Sequence, residues 1–220
     1  MGMQGCEAYW VAFDNSVPVY LPMYLRSRWL DMFEIQQQSQ QNSHASLTDH
    51  ILFSSGWEFG YWQNDVATLR MNWKIPGSYL FVFQELFSNY DNGYQLAQAL
   101  FDLSEVQKTA MIDQNLDAYT CGVDNIMELG YSQDIVSQPV RLSFREMVEA
   151  DLSELESLSS RFETYIQAMQ EIDLPDPVDA WQTEIVDGIL INRHRAMFMR
   201  SLIDAMLAYR QGADFAVHLE

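Results

Sequence analysis

The chain has 220 residues, of which 31 are acidic and 12 are basic, so its formal net charge at pH 7 is −19. Hydrophobic residues make up 48% of the chain and charged residues 20%, which excludes a generically disordered protein and predicts a substantial buried core. A protein with this net negative charge repels phosphate backbones and anionic lipids. The charge therefore argues against nucleic-acid and membrane-surface partners.

The ends of the chain and its cysteines favour a soluble protein. The N-terminus lacks the basic region and apolar run of a secretory signal, and the most apolar run, residues 79–83, is far too short to span a membrane. Cys6 and Cys121 match no metal or redox spacing. Two reduced cysteines in the cytoplasm are therefore expected, and one disulfide is the alternative.

The sequence divides into two parts with different residue patterns. Residues 1–50 are predicted to form an N-terminal segment, and residues 51–220 a helical domain. Aromatic and β-branched residues at 9–13 and 17–21 flank a polar turn, which is typical of two short strands or extended segments. Residues 51–56 form a third strand-like run that ends at a glycine. The sequence therefore predicts a small β or extended N-terminal segment.

A helix follows the segment at residues 17–21, because Leu25, Trp29, Met32, Phe33 and Gln36 recur at helical spacing. It runs into a glutamine-rich stretch at residues 36–43. Low-complexity polar sequence of this kind predicts a flexible loop or a domain boundary.

Helical patterns dominate from Trp57 onward. One helical face carries Trp62, Val66, Leu69 and Trp73. Residues 79–87 are apolar nearly all round, which predicts a buried helix capped by Ser78. Residues 94–103 are predicted to form the next helix. Ser104 is predicted to begin a further helix of uncertain length.

Two long helices are predicted in the C-terminal third. Ser143 and Glu146 form a capping box, and apolar residues then recur at spacings of 3 and 4 to Met169, about eight turns. The second helix is expected to start with Asp176 as N-cap and to end at Gly212. Its apolar stripe is the set Val178, Trp181, Ile185, Ile189, Asn192, Ala196, Met199, Ile203 and Met206.

A tight Pro-Asp-Pro turn joins these two helices, which predicts an antiparallel hairpin. Asn192 on the apolar stripe is expected to act as a buried polar residue that sets the register. The whole pattern indicates a mainly α protein, a multi-helix bundle with a long C-terminal antiparallel helical hairpin and a small β or extended N-terminal segment.

The densest cluster of chemistry-bearing residues lies between Ser55 and Asp65, where four aromatic residues, two acids and two amides occupy eleven positions. On a helix, Glu58, Trp62 and Asp65 fall on one stripe, and the backbone rise separates the two carboxylates by ~10 Å. Flexible side chains could bring them to the ~6.5–9.5 Å spacing of an inverting glycosidase.

Two interpretations of this cluster stay open. In the first, Glu58 complements the helix dipole and the aromatic rings fill a core or a binding surface. In the second, Glu58 and Asp65 are the general acid and base of a carbohydrate-active enzyme, or of the C-terminal portion of one. The stacking platforms for the sugar would then be Trp57, Tyr61 and Trp62.

Arginines are concentrated near residue 195 of this acidic chain. Arg193 and Arg200 are seven residues apart and share a helical face, which could bind a carboxylate or a phosphate. The favoured alternative is internal pairing with the acids of the preceding helix, which would join the two long helices partly by charge.

No histidine or cysteine spacing indicates a metal, and no cofactor motif is present. Asp113, Asp117 and Asp124 share one helical stripe and represent a weaker hypothesis, a Mg²⁺ or Ca²⁺ site. The favoured function is a non-catalytic helical binding or scaffolding domain with an aromatic-acidic surface and a protein or carbohydrate ligand. A carbohydrate-active enzyme is the alternative.

Overall fold

The computed structural model describes residues 3–7, 20–42, 47–52, 61–116, 149–214 and 216–218. Over these residues the protein is mainly α-helical, as the apolar spacing predicted. Within the same ranges, no helix is long and apolar enough to cross a membrane.

Two short strands, β1 (Met3–Glu7) and β2 (Leu47–Leu52), pair in parallel. Of the strands predicted from sequence, the first lies outside the described residues. The second reaches them only at Tyr20 and Leu21, which are buried but belong to no strand. The run at 51–56 contributes only the end of β2 within the described residues.

Helix α1 extends over Met23–Gln41, so the expected loop at residues 36–43 is wrong for residues 36–41. Glutamine is a good helix former, and adding residues to an existing helix is far easier than starting one. Leu25 and Met32 of α1 are buried in the same hydrophobic core as the later helices. The polar C-terminal part of α1 remains largely exposed to water.

Three shorter helices follow, namely α2 (Tyr61–Trp73), α3 (Tyr79–Leu86) and α4 (Gly93–Gln107). Ser78 is the N-cap residue of α3, but its side chain makes no capping hydrogen bond. Helix α3 is not buried all round as expected, because Phe81 is half exposed. A π-helical turn, Lys108–Asp113, continues α4.

The expected helix start at Ser104 is wrong, because this residue lies inside α4 and is fully buried. Its hydroxyl donates a hydrogen bond to the carbonyl of Phe101, 2.6 Å away and one turn earlier. A serine satisfied in this way fits a helix interior and does not interrupt it.

Helix α5 covers Leu152–Gln170 and has Asp151 as its N-cap residue. The prediction of eight uninterrupted turns from residue 143 is wrong, because Asp151 has an extended backbone with ψ 141°. The predicted capping box, Ser143 and Glu146, lies outside the described residues.

Helix α6 covers Ala180–Arg210, so Asp176 is not its N-cap. The cap is Asp179, whose side chain accepts a hydrogen bond from the Gln182 amide nitrogen at 2.9 Å. An acidic cap followed three residues later by Gln is a capping-box sequence, so Asp179 could also be identified from the sequence. At the other end Gly212 has φ 71°, which confirms the predicted helix end.

Helices α5 and α6 pack against each other. Glu163 contacts Arg200, Ser159 contacts Asp204, and the Ala150 carbonyl accepts from Arg210, so the two helices run in opposite directions. Most of the apolar stripe predicted for α6 is buried from Ile185 onward, whereas Val178 and Trp181 are exposed.

Candidate functional site

Helix α2 carries apolar side chains on its outer side as well as on its buried inner side. The outer stripe of α2 is formed by Trp62, Val66, Leu69 and Trp73, of which Trp73 is 93% exposed and Leu69 54%. The opposite face carries Gln63, Asn64, Ala67, Thr68 and Met71, and all of these are buried. This arrangement departs from the usual amphipathic pattern, because the polar side chains of Gln63, Asn64 and Thr68 are buried while Leu69 and Trp73 are open to water.

A buried polar cluster at Tyr20 accounts for part of this orientation. The Tyr20 hydroxyl donates a hydrogen bond to Gln63 Oε1 on the inner face of α2. The Tyr20 carbonyl accepts from Gln107 Nε2 at 2.7 Å and from Asn192 Nδ2 at 2.5 Å. Three helices are thus held to one residue by hydrogen bonds, which lets α2 bury an amide side chain.

Burial raises the pKa of the Tyr20 phenol well above its ordinary value, and the nearby Glu184 carboxylate acts in the same direction. Both effects disfavour the charged phenolate. Tyr20 is therefore a neutral hydrogen-bond donor at physiological pH and is not a candidate base.

Two tryptophans and a carboxylate meet where the start of α2 contacts the start of α6. The indole N–H of Trp62 donates to Glu184 Oε1 at 3.2 Å. The rings of Trp62 and Trp181 pack edge to face, with centroids 5.1 Å apart and an interplanar angle of 71°. Trp62 is half-buried and Trp181 is 54% exposed. We name Trp62, Trp181 and Glu184 the tryptophan–carboxylate cluster.

Only part of the predicted aromatic-acidic site lies in the described residues. Tyr61 begins α2, and Asp65 is half-buried one turn further along. Trp57 and Glu58 lie outside the described residues, so the spacing of the Glu58 and Asp65 carboxylates stays a prediction.

Sequence reasoning missed Trp181 and Glu184 as members of this surface. Helical spacing places Trp181 on the apolar stripe of α6, and Glu184 is one of 31 acidic residues in the chain. The two carry one signal, an aromatic residue with an acid three positions later on a helix. The contact with Trp62 joins residues more than a hundred positions apart, which helical periodicity cannot predict.

The arginine pair has two different environments. Arg200 forms ion pairs with Glu163 of α5 and, at 3.4 Å, with Asp204 of its own helix. Arg193 is half-buried, and its Nε has no hydrogen-bond partner among the described residues. The carboxylates held by Arg200 are thus side chains of this chain, and Arg193 and Arg200 as a joint ligand site stay a prediction.

The weaker metal hypothesis finds no support in the described part of the chain. Asp113 binds Lys108 Nζ at 2.5 Å, so its carboxylate already has a cation. Asp117 and Asp124 lie outside the described residues. In the ranges that are described, no group of three or more metal-ligating side chains is assembled.

Comparison of the chain with protein-family models, with curated proteins and with solved structures found no match. Function is therefore inferred from the chemistry of its own side chains.

Proposed function

We propose that this protein is a non-catalytic helical binding domain that recognises cationic side chains of a partner polypeptide. The binding surface is the tryptophan–carboxylate cluster, Trp62, Trp181 and Glu184. The single observation that carries the proposal is the edge-to-face indole pair with a carboxylate on one indole N–H.

An indole face attracts a Lys ammonium or an Arg guanidinium, and tryptophan is the aromatic residue that does so most strongly. Glu184 adds a full negative charge beside the rings and, by accepting the Trp62 N–H, holds that ring in place. Trp181 is half exposed, so a ligand can reach the pair from water. The combination of an aromatic face with a carboxylate favours a cation over a neutral or anionic ligand.

The charge of the chain acts in the same direction. With a net charge of −19, the protein attracts basic partners over long range and repels acidic ones. Several of its own cations are engaged internally, including Arg26 with Glu105, Arg28 with Asp31 and Arg200 with Glu163. Each pair neutralises one cation and one carboxylate, so the excess of acidic side chains that a basic partner meets is unchanged.

The test is a binding titration with short peptides that differ at one position, which carries Lys, Arg or the uncharged norleucine. We expect the Lys and Arg peptides to bind and the norleucine peptide to bind more weakly. Trp181→Ala should weaken binding of the charged peptides about two- to thirtyfold, the range of a cation–π contact of ~0.5–2 kcal/mol. Glu184→Gln should weaken it while preserving the fold.

Trp73→Ala is the matched control, because it removes an exposed tryptophan from the other end of α2 and should leave peptide binding unchanged. Equal affinity for Lys and norleucine peptides, or equal loss in Trp181→Ala and Trp73→Ala, would contradict the proposal. A glycan array run beside the peptides addresses the alternative. Glycan binding lost in Glu58→Gln and Asp65→Asn would favour the carbohydrate-active enzyme instead.

A further inference from the structure

Asn92 and Gly93 form an Asn-Gly pair at the point where helix α4 begins, and the sequence contains this pair once. Asparagine is a chemically labile residue, and it is most labile before glycine, because glycine has no Cβ to hinder its own backbone nitrogen. That nitrogen can attack the side-chain amide carbon of the asparagine and displace the amide as ammonia. The pair is therefore a candidate site of covalent modification.

In the folded protein the side-chain amide of Asn92 is paired with that of Gln182 on α6. Asn92 Nδ2 donates to Gln182 Oε1, and Gln182 Nε2 donates to Asn92 Oδ1, both at 2.8 Å. Asn92 Nδ2 also donates to the carbonyl of Asp176 at 3.2 Å. The amide that would leave in the reaction is thus held by two acceptors, and Gln182 is only 1% exposed.

The backbone nitrogen of Gly93 is also held away from the Asn92 side chain. It donates to the carbonyl of Tyr90 at 3.0 Å. The Asn92 backbone has ψ 12°, which turns the Gly93 nitrogen toward the Asn92 backbone nitrogen and away from Cγ. Gly93 is buried against the backbone of Phe87, so rotation about this bond requires the start of α4 to move.

We propose that Asn92 is a deamidation site that is blocked in the folded protein and reacts when the start of α4 separates from α6. The Gly93 nitrogen then loses its proton to hydroxide and forms a bond to Asn92 Cγ. The Cγ–Nδ2 bond breaks, and the nitrogen takes a proton from water and leaves as ammonia. Water opens the resulting five-membered imide at either carbonyl, which gives an aspartate at position 92 or an isoaspartate.

Neither product can restore the amide pair. Gln182 Oε1 also accepts from the Val178 amide nitrogen at 3.1 Å, so the Gln182 amide cannot turn round without placing Nε2 against that donor. A carboxylate oxygen in place of Asn92 Nδ2 would face Gln182 Oε1 and the Asp176 carbonyl, with no hydrogen between them. The α4 dipole favours a negative charge here, but this effect is smaller than the cost of opposed buried acceptors.

Deamidation at Asn92 is therefore a one-way covalent record that this junction has separated. In the isoaspartate, the additional backbone carbon would also displace Gly93 from the space beside Phe87. The inference is independent of the function proposed above, because Asn92 and Gly93 are not part of the tryptophan–carboxylate cluster.

The experiment incubates the purified full chain at mildly alkaline pH, in native buffer and in concentrated urea. Mass spectrometry of the proteolysed chain then follows conversion of Asn92 to aspartate and isoaspartate with time. We expect the native chain to react at least about tenfold more slowly than the chain in urea. A tenfold difference corresponds to an opening free energy of ~1.4 kcal/mol.

Gln182→Ala tests whether the amide pair blocks the site. Loss of one hydrogen bond should raise the native-state deamidation rate by about two- to tenfold, while the rate in urea stays that of the wild type. Gln98→Ala is the matched control, because Gln98 is also a glutamine with a 2.9 Å side-chain hydrogen bond, which it donates to Asp102 within α4. This control should leave the native-state rate unchanged.

A second measurement tests the product without waiting for the reaction. Asn92→Asp should lower the melting temperature by about 2–12 °C, because it leaves buried acceptors opposed. Asn89→Asp adds the same charge at an exposed position three residues earlier and should change the melting temperature little.

Four outcomes would overturn the proposal. Equal rates in native buffer and in urea would show that the fold does not block the site. Unreacted Asn92 in urea would show that this Asn-Gly pair is inert. Equal acceleration in Gln182→Ala and Gln98→Ala would show that the amide pair is not what blocks the reaction. Equal melting temperatures for Asn92→Asp and Asn89→Asp would show that the junction tolerates the product.

Discussion

Asn192 Nδ2 donates a hydrogen bond of 2.5 Å to the backbone carbonyl of Tyr20, across 172 positions of the chain. Gln107 Nε2 donates to the same carbonyl oxygen at 2.7 Å. One carbonyl in the N-terminal part of the protein therefore connects α4 and α6. Both amides are fully buried, so neither can exchange its bond for one with water.

These two bonds are expected to be non-additive. Asn192→Leu should lower the free energy of unfolding by about 0.5–1.5 kcal/mol, because the carbonyl keeps one donor. Gln107→Leu should lower it further, because Gln107 Oε1 also accepts a hydrogen bond from the Met23 amide nitrogen at 3.3 Å. The double variant should lose more unfolding free energy than the two single variants lose together, since the buried carbonyl then has neither of these donors. Urea unfolding of the four proteins measures the coupling. Strict additivity would show that the carbonyl finds another donor, such as water.

The buried phenol of Tyr20 predicts a loss of stability at alkaline pH. Its pKa is raised in the folded protein, chiefly by burial, so above pH ~10 the unfolded chain releases the phenol proton and the folded chain keeps it. The free energy of unfolding is therefore unaffected below that pH. It then falls by about 1.4 kcal/mol per pH unit, until the folded phenol also titrates.

Urea unfolding from pH 9 to 11 checks this slope, and Tyr20→Phe is its control. Tyr79 is also buried with a raised pKa, so Tyr20→Phe should show a smaller alkaline slope but not a zero one. A slope identical to that of the wild type would mean that Tyr20 titrates normally.

Gly93, the first residue of α4, has no room for a side chain. A Cβ at this position would collide with the carbonyl oxygen of Phe87 and lie 2.9 Å from its carbonyl carbon. Backbone cannot move away as a flexible side chain can, so Gly93→Ala should cost about 1–3 kcal/mol of unfolding free energy. Thermal unfolding should record a decrease of about 2–4 °C for each kcal/mol.

The control for this substitution is Gly77→Ala. No atom lies within 4 Å of a Cβ added at Gly77, so the change should be neutral or stabilise the protein by up to about 1 kcal/mol through the unfolded state. Equal melting temperatures for the two variants would be inconsistent with the close approach at Gly93.

The contact between α5 and α6 should depend on apolar packing more than on charge. The Glu163 and Arg200 side chains are 36% and 39% exposed, so Glu163→Gln should cost at most about 1 kcal/mol, and high salt should remove most of that cost. The adjacent Phe162 is fully buried, and Phe162→Ala should cost about 3–5 kcal/mol at any salt concentration. Urea unfolding at two salt concentrations distinguishes these cases, and a larger loss in Glu163→Gln would restore the charge-based interpretation.

The helical content and much of the core could be read from the sequence. Leu155, Leu158, Phe162, Ile166 and Met169 recur at helical spacing and are buried in α5. The end of α6 was also predictable, because Gly212 adopts the left-handed backbone that favours glycine. Both features depend on residues a few positions apart, so local pattern is sufficient to predict them.

What the tertiary structure alone decided is the direction in which α2 faces. Its sequence has an apolar stripe that would ordinarily be buried, yet Gln63 and Thr68 point inward and Trp73 points outward. The hydrogen bond between Tyr20 and Gln63 gives the inner amide a partner, and α6 brings Trp181 and Glu184 to Trp62. These contacts join distant parts of the chain, and periodicity within one helix carries no information about them.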